Sequence, residues 1–426
     1  MQSPLFYIRK FKTQIMNLSI YFVAALIPMI LSLLSNPFIA KNLSPEDYAI
    51  VGYYTAFNSL FGPFINFYLL HYYTKRFYEL NDADRLALKG TIFKSLIFFS
   101  LALGLIALLI LYIYTEFFNS SSQLPFMPYA LLAMMTLPLT GIYSLNLTEF
   151  RMLRKSKQFF RLSVTNGTLG VVLAVLFVVI FKWGADGRLW AAFISALTIF
   201  TYVFCKNREL IKVRFDYNTF KAAFKFCFPL VIASMFTFFS SGYDKVILER
   251  TGDITSLGIY SVGAVIASYM HVFSTSINDT FQPDIFKSVV ERNMRKCIYY
   301  IMAKLAIMSL CVLCFIILAP YIIDILTFGR YVNSTPFASI LAISSITSML
   351  YYSMSQVTVA LGYTGITLWN KIIGSILSVT TFGIMIPEFG AFGAAWGVVL
   401  SYIYFFIGNI IMVLIKKRTN SKVLNN

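Results

Sequence analysis

The sequence predicts an all-α integral membrane protein of about 12 transmembrane helices in two parallel six-helix bundles. Three observations lead there. The 426 residues are 58% hydrophobic and 12% charged, with mean hydropathy +0.73, whereas a soluble domain is roughly a quarter charged. Long uncharged runs recur along the whole chain, which places the core within lipid. A phrase around Ala49 returns 209 residues later around Gly258, in the corresponding place of the second half.

A membrane span needs roughly 20 mostly apolar residues. Candidates run over about 18–39, 47–71, 92–115, 126–149, 161–181, 188–205, 222–243, 255–279, 298–319, 336–358, 364–386 and 391–415. These runs are too long for barrel strands and lack strict alternation, so they read as helices. The first run is too long for a signal-peptide core and no convincing cleavage site follows it, so it reads as retained.

Charge sets the orientation. The net charge of +17 would suit nucleic acid, but its distribution argues against that partner. Alternate loops and both termini hold 27 of the 35 lysines and arginines, among them Arg9, Lys10 and Lys12, then Arg151, Arg154 and Lys155, and finally Lys416 and Lys417. The opposite loops hold six, and Lys304 and Lys371 fall inside spans. The positive-inside rule then puts both termini in the cytoplasm, and the strict alternation supports twelve spans.

The loops are too short to fold as catalytic domains. No Walker-type loop, HExxH motif or zinc-like cysteine spacing occurs, so neither an ATPase nor a metal centre is expected, and no cofactor. The pair Cys311 and Cys314 lies inside an apolar run and reads as helix packing.

The repeated phrase opens a span. In "KNLSPEDYAIVGYYTAF" (Lys41 to Phe57), Ser44 reads as an N-cap, Pro45 as the first helical residue and Asp47 as the returning acid of a capping box. Gly252-Asp253 plays that part in "ERTGDITSLGIYSVGAVI". A second echo pairs "GRLWAAFIS" with "GAFGAAWGVVLS", Gly187 against Gly390, 203 residues apart. Both echoes open even-numbered spans at the outer face. The expected domains are 1–205 and 222–415, joined by a cytoplasmic linker at 206–221 and followed by a tail at 416–426. Six spans per half give both halves one orientation, hence a parallel repeat.

The stretch "LSPEDYAIVGYYTAF" resembles the Leu-Gly-Pro-Glu-Glu-Phe-Gly-Leu-Tyr phrase of the polysaccharide-transport family, in the multidrug/oligosaccharidyl-lipid/polysaccharide (MOP) exporter superfamily. "YDKVILERTGDITSLGIYSVGAVIAS" resembles its second-half counterpart, and "GAFGAAWGVVLS" its last-helix opening. Ala49 departs from the glycine usual there. The resemblance implies a MATE-like fold with a central V-shaped cavity. It implies a flippase of the bacterial inner membrane that carries undecaprenyl-diphosphate-linked oligosaccharide repeat units of O-antigen, lipopolysaccharide or capsule. Its partners would be the lipid-linked substrate, membrane lipids, a polymerase and a chain-length regulator, with proton or sodium coupling left open.

Such a cargo needs a polar, preferably cationic path, and intramembrane charges usually face one. Lys371 is the deepest basic candidate, about 12 Å into span eleven, with snorkelling to the interface as its alternative. Lys304 lies nearer its helix start, where snorkelling is favoured. His271 is either a cavity ligand or a packing histidine. Asp244 and Lys245 end span seven and read most simply as a local ion pair. Asn66, with Asn58, Asn166, Asn278 and Tyr53, offers hydrogen bonds to sugar hydroxyls or between helices.

Two other function classes stay open. A cation-coupled drug exporter would prefer a buried acid in the first or seventh span; span one has none, and Asp244 ends span seven. A membrane enzyme of polysaccharide assembly, such as a polymerase, would need a large outer loop with paired basic residues, which is missing. The major-facilitator signature is missing from 74–90 as well.

Overall fold

The structure, a computed structural model, describes residues 4–119, 122–361 and 363–423. The side chains of Arg9, Lys10, Lys12, Lys417, Arg418 and Lys422, all part of the expected basic bias, lie outside the described residues, as do the last three residues of the expected tail. Every regular element among the described residues is helical: α1 (Pro4–Asn42), α2 (Pro45–Ala56), α3 (Asn58–Asn66), α4 (Leu69–Arg76), α5 (Asp82–Lys94), α6 (Ser100–Ile113), α7 (Tyr129–Met152), α8 (Ser156–Ala174), α9 (Gly184–Lys206), α10 (Tyr217–Met235), α11 (Phe238–Ser241), α12 (Tyr243–Arg250), α13 (Ile254–Val290), α14 (Met294–Thr327), α15 (Thr335–Ala360) and α16 (Thr364–Val423), with short 3-10 and π segments beside them.

Among the described residues, nine helices are long and apolar enough to cross a membrane. The longest, Gly365–Lys416, has 52 residues; as one straight rod it would run about 78 Å, more than twice the ~30 Å hydrocarbon core. It bends at Gly390, where φ is 55° and ψ is −133°. That bend falls in the expected gap between the runs at 364–386 and 391–415.

Two expected spans are not continuous helices. The run 47–71 is divided among α2, α3 and α4: α2 ends at its C-cap, Phe57, and between α3 and α4 Phe67 and Tyr68 both take the left-handed conformation, φ 49°. The run 222–243 stops at Met235, resumes as α11 and stops again at Gly242, whose backbone leaves the helical region at φ −149°, ψ −29°. Hydropathy alone reads through such breaks, since their residues are as apolar as their neighbours. In membranes, broken helices persist where other groups satisfy the freed backbone.

The chain forms two compact units. The first comprises Met1–Leu43, Phe61–Ser120 and Pro125–Ile232. There α1 packs on α8, α7 on α9 and α6 on α7. Lys89 and Glu149 form a 2.7 Å ion pair, 13% and 15% exposed. The second unit comprises Ser44–Leu60, Ser121–Leu124 and Ala233–Asn426. In it α13 packs against α2, α14 and α15, and α15 against α16.

These bounds differ from the expected 1–205 and 222–415, because α2 is packed on α13 rather than on the helices next to it in sequence. The two copies of the repeated phrase make that contact. A Cβ on Gly258 would run into the Pro45 carbonyl, and one on Gly52 into the Ser261 side chain. Gly52 and Ser261 are 209 residues apart, the offset of Ala49 and Gly258, so equivalent positions of the two phrases face each other. Each copy starts with a cap. Asp47 N–H donates to Ser44 Oγ at 3.1 Å and Ser44 N–H to Asp47 Oδ2 at 2.8 Å, while Asp253 Oδ1 accepts from Ser256 N–H at 2.9 Å.

The second echo needs a new register. Gly184 and Gly390 share a left-handed backbone, φ 57° and 55°. Three residues on, a Cβ on Gly187 would press on the backbone of Phe177, and one on Gly393 on the backbone of Met385. The matching pairs are therefore Gly184 with Gly390 and Gly187 with Gly393, 206 residues apart rather than 203. A left-handed glycine turns the chain and a second glycine lets the new helix close on the old one.

Candidate functional site

In the second unit, α12, α13, α15 and α16 enclose a cavity of ≈ 310 Å³ whose lining includes Asp244, Lys245, Tyr260, His271, Ser344 and Tyr402. Three of the residues singled out from sequence thus meet in one place: Asp244, Lys245 and His271. Asp244 is 2% exposed. Its Oδ2 accepts a hydrogen bond from the Tyr260 hydroxyl, while its Oδ1 has no protein partner. The expected Asp244–Lys245 ion pair is not formed; among the described residues, the ion pairs lie elsewhere. The reason is angular: adjacent residues on a helix do not face each other. Asp244 turns inward to Tyr260 on α13, sixteen residues away in sequence.

Lys371 lies on α16, one of this cavity's helices, but not in its lining. Its ammonium donates to Thr237 Oγ1 at 3.2 Å, and one turn on, Ser375 Oγ donates to the Phe236 carbonyl at 3.0 Å. Positions four apart share a helix face, so α16 docks two polar groups on the break between α10 and α11. Ser241 Oγ in turn donates to the Thr237 carbonyl at 3.2 Å. The half-buried Lys371 thus bonds inside the unit.

Lys304 is 0% exposed, so it does not snorkel. Its ammonium donates to Asn278 Oδ1 at 2.8 Å and to Gln356 Oε1 at 3.4 Å. Those two amides, with Gln282, Phe286, Tyr352, Ser355 and Val359, line a second cavity of ≈ 240 Å³. Asn66 stands apart, in the first unit. Its Nδ2 reaches the Leu137 carbonyl at 3.5 Å, while its Oδ1 is buried without a partner. It immediately precedes the Phe67–Tyr68 break.

Sequence reasoning missed Tyr260, Tyr402, Thr237 and Gln356. A tyrosine or amide in an apolar helix gives no one-dimensional signal when most such residues belong to packing or interfacial belts. Among the described residues, no group of three or more His, Cys, Asp or Glu side chains could hold a metal ion.

Buried polar groups inside membrane-length helices define a multi-pass helical membrane protein with polar chambers in its second unit. Residues 38–336, more than two thirds of the chain, match the family described as polysaccharide biosynthesis protein, and the chain belongs to that family. It is 23% identical over 141 residues to the capsular polysaccharide biosynthesis protein CapF of Staphylococcus aureus, an alignment covering 32% of this chain and 36% of that relative. The chain thus matches about a third of the curated relative's length. By structure it is similar to a multidrug resistance MATE family transporter of the MOP superfamily in an inward-facing conformation, with TM-score 0.68 and 16% identity over 93% of this chain and 99% of that one. It is likewise similar to the lipid II flippase MurJ, inward closed, with TM-score 0.69 and 15% identity over 92% and 87%. The fold is the all-helical MATE-type fold.

Proposed function

We propose that the chain is a flippase that moves undecaprenyl-diphosphate-linked oligosaccharide repeat units, of O-antigen or capsule, across the bacterial inner membrane by alternating access. It is a carrier rather than an enzyme. The observation that carries this reading is the meeting, in one chain, of membership in a polysaccharide biosynthesis family with the MATE-type fold. The cargo's pyrophosphate must cross a medium of low dielectric, where an unpaired charge is costly. Lys371 supports the reading as a cation inside α16 that hydrogen-bonds a neutral hydroxyl, that of Thr237. As a flexible point charge, lysine suits a headgroup that has to leave again.

The test is surface polysaccharide in a strain lacking the chromosomal copy, with membrane levels of each variant checked by blot. Lys371→Met removes the charge and is expected to abolish the polymer, while Lys371→Arg is expected to retain part of it. Normal polymer from Lys371→Met at a normal protein level would refute the role of the cation.

A second reading, a cation-coupled exporter of small molecules, is favoured by one observation: the buried Asp244, with one oxygen unpartnered beside the ≈ 310 Å³ cavity. In that reading, loss of Asp244 sensitises cells to cationic dyes and leaves surface polysaccharide intact. In the flippase reading the same acid serves proton or sodium coupling, and Asp244→Asn lowers the polymer.

A further inference from the structure

We infer that the ≈ 240 Å³ cavity between the ends of α13 and α15, backed by Lys304, is a binding site for a phosphate group. It stands independently of the flippase reading and of Lys371. Lys304 is fully buried, and its ammonium hydrogen-bonds the neutral amides of Asn278 and Gln356. Among the described residues it makes no ion pair. The other titratable group acting on it is the Cys297 thiol. A full charge in such a place is costly unless hydrogen-bonded or paired.

The lysine also dictates what its partners can do. An ammonium has only donors, so Asn278 and Gln356 must turn their carbonyl oxygens toward it. What each amide has left for a ligand is its NH₂ group. Both residues line the cavity, and the Tyr352 and Ser355 hydroxyls and the Gln282 amide complete its polar lining. The result is a pocket furnished with donors, with a positive charge directly behind two of them. That arrangement is suited to an anion with several acceptor oxygens. A phosphate group can accept from both amides at once, and charge-assisted bonds of this type are the strong ones.

The surroundings agree. The pocket sits near the α13–α14 turn, where the exposed Lys287, Arg292, Arg295 and Lys296 stand against one carboxylate of that turn, Glu291, which pairs with Lys287 at 3.9 Å, so the turn itself keeps a positive field that draws anions. Asp279, one position from Asn278 and three from the lining residue Gln282, and Asp284 are both exposed on α13 and offset part of that field. The phosphate could come free from solution or on a lipid headgroup, and the chemistry of recognition is shared.

The decisive variant is Gln356→Glu. It sets a carboxylate where the Gln356 carbonyl now meets Lys304 at 3.4 Å, giving the lysine an internal counter-ion and filling the demand for an external one. Full-length purified protein is titrated with inorganic phosphate in detergent, read by thermal shift, and separately reconstituted in nanodiscs of phosphatidylglycerol or phosphatidylcholine. The wild type is expected to be stabilised by phosphate, by phosphatidylglycerol or by both, according to the source. Gln356→Glu should fold at least as stably without ligand and bind at least ~10-fold more weakly. A phosphate response points to a soluble ligand; a response confined to phosphatidylglycerol points to a headgroup. Should Gln356→Glu express poorly, Lys304→Gln tests the same loss, with Lys304→Arg as the rescue that keeps the charge. A wild type that answers neither arm, or variants that answer like the wild type, overturns the site.

Discussion

Replacing Gly258 by alanine adds one methyl group where the structure leaves no room. The atoms it would strike are the carbonyl oxygen, carbonyl carbon and Cα of Pro45, all backbone. No rotamer change can relieve the clash, so α2 and α13 must separate. Pro45 is also the first residue of α2, inside the Ser44–Asp47 capping box, so the displaced atoms carry a cap along. Overpacking of this kind costs about 1–3 kcal/mol, and the rigidity of the obstacle puts Gly258 in the upper half of that range. Alanine is better than glycine inside a helix by about 0.5–1 kcal/mol, which leaves a net loss of about 1–2 kcal/mol. Gly383 supplies the control: it lies within α16, and a Cβ there meets nothing within 4 Å, so Gly383→Ala should be neutral or slightly stabilising. The assay is the fraction of monodisperse protein surviving graded heating in detergent, followed by size-exclusion chromatography. Gly258→Ala should melt several degrees lower and Gly258→Val lower again. If Gly258→Ala melts with Gly383→Ala, the close approach of the two phrases is wrong.

Three further outcomes follow from other places in the molecule. Gly390→Ala, at φ 55° and ψ −133° with open space around its Cβ, should cost about 1–3 kcal/mol from backbone conformation alone, measured by the same heating series, whereas Gly365→Ala, also in open space, should cost nothing. Asp216 precedes α10, and hydrogen bonding, chiefly from the Thr219 hydroxyl at 2.5 Å, holds its carboxyl below the ordinary carboxylate range. A carboxyl depressed in the folded state adds stability above its unfolded value and loses it as pH falls through the folded one. The stability gap between wild type and Asp216→Asn should therefore be open at pH 7 and close below about pH 4. A reporter active only outside the cytoplasm, fused after Lys422, should stay silent; a strong signal would mean an odd number of crossings and would remove the basis for a parallel repeat.

What the sequence determined by itself was everything that depends on solvent and on local order. Composition and run length demand lipid as the solvent, whatever the packing. The caps at Ser44 and Asp253 were legible because each bonds a partner only three positions along the chain. The candidates Asp244, Lys245 and His271 were legible because a charge or an imidazole in an apolar run is conspicuous. Only the tertiary structure decided which of them meet. It turned Asp244 away from its neighbour Lys245 toward Tyr260, and it buried Lys304 under Asn278 and Gln356, 26 and 52 residues away along the chain. It also broke two apolar runs at Phe67–Tyr68 and Phe236–Thr237, where hydropathy is silent because such breaks depend on groups from distant helices, as Ser375 serves Phe236. And it shifted the second echo to Gly184 with Gly390, since a left-handed backbone is a property of the folded path that a run of similar letters does not carry. Hydropathy and caps act through solvent and nearest neighbours. Hydrogen-bond partners, kinks and cavities depend on side chains that meet only once the helices are packed.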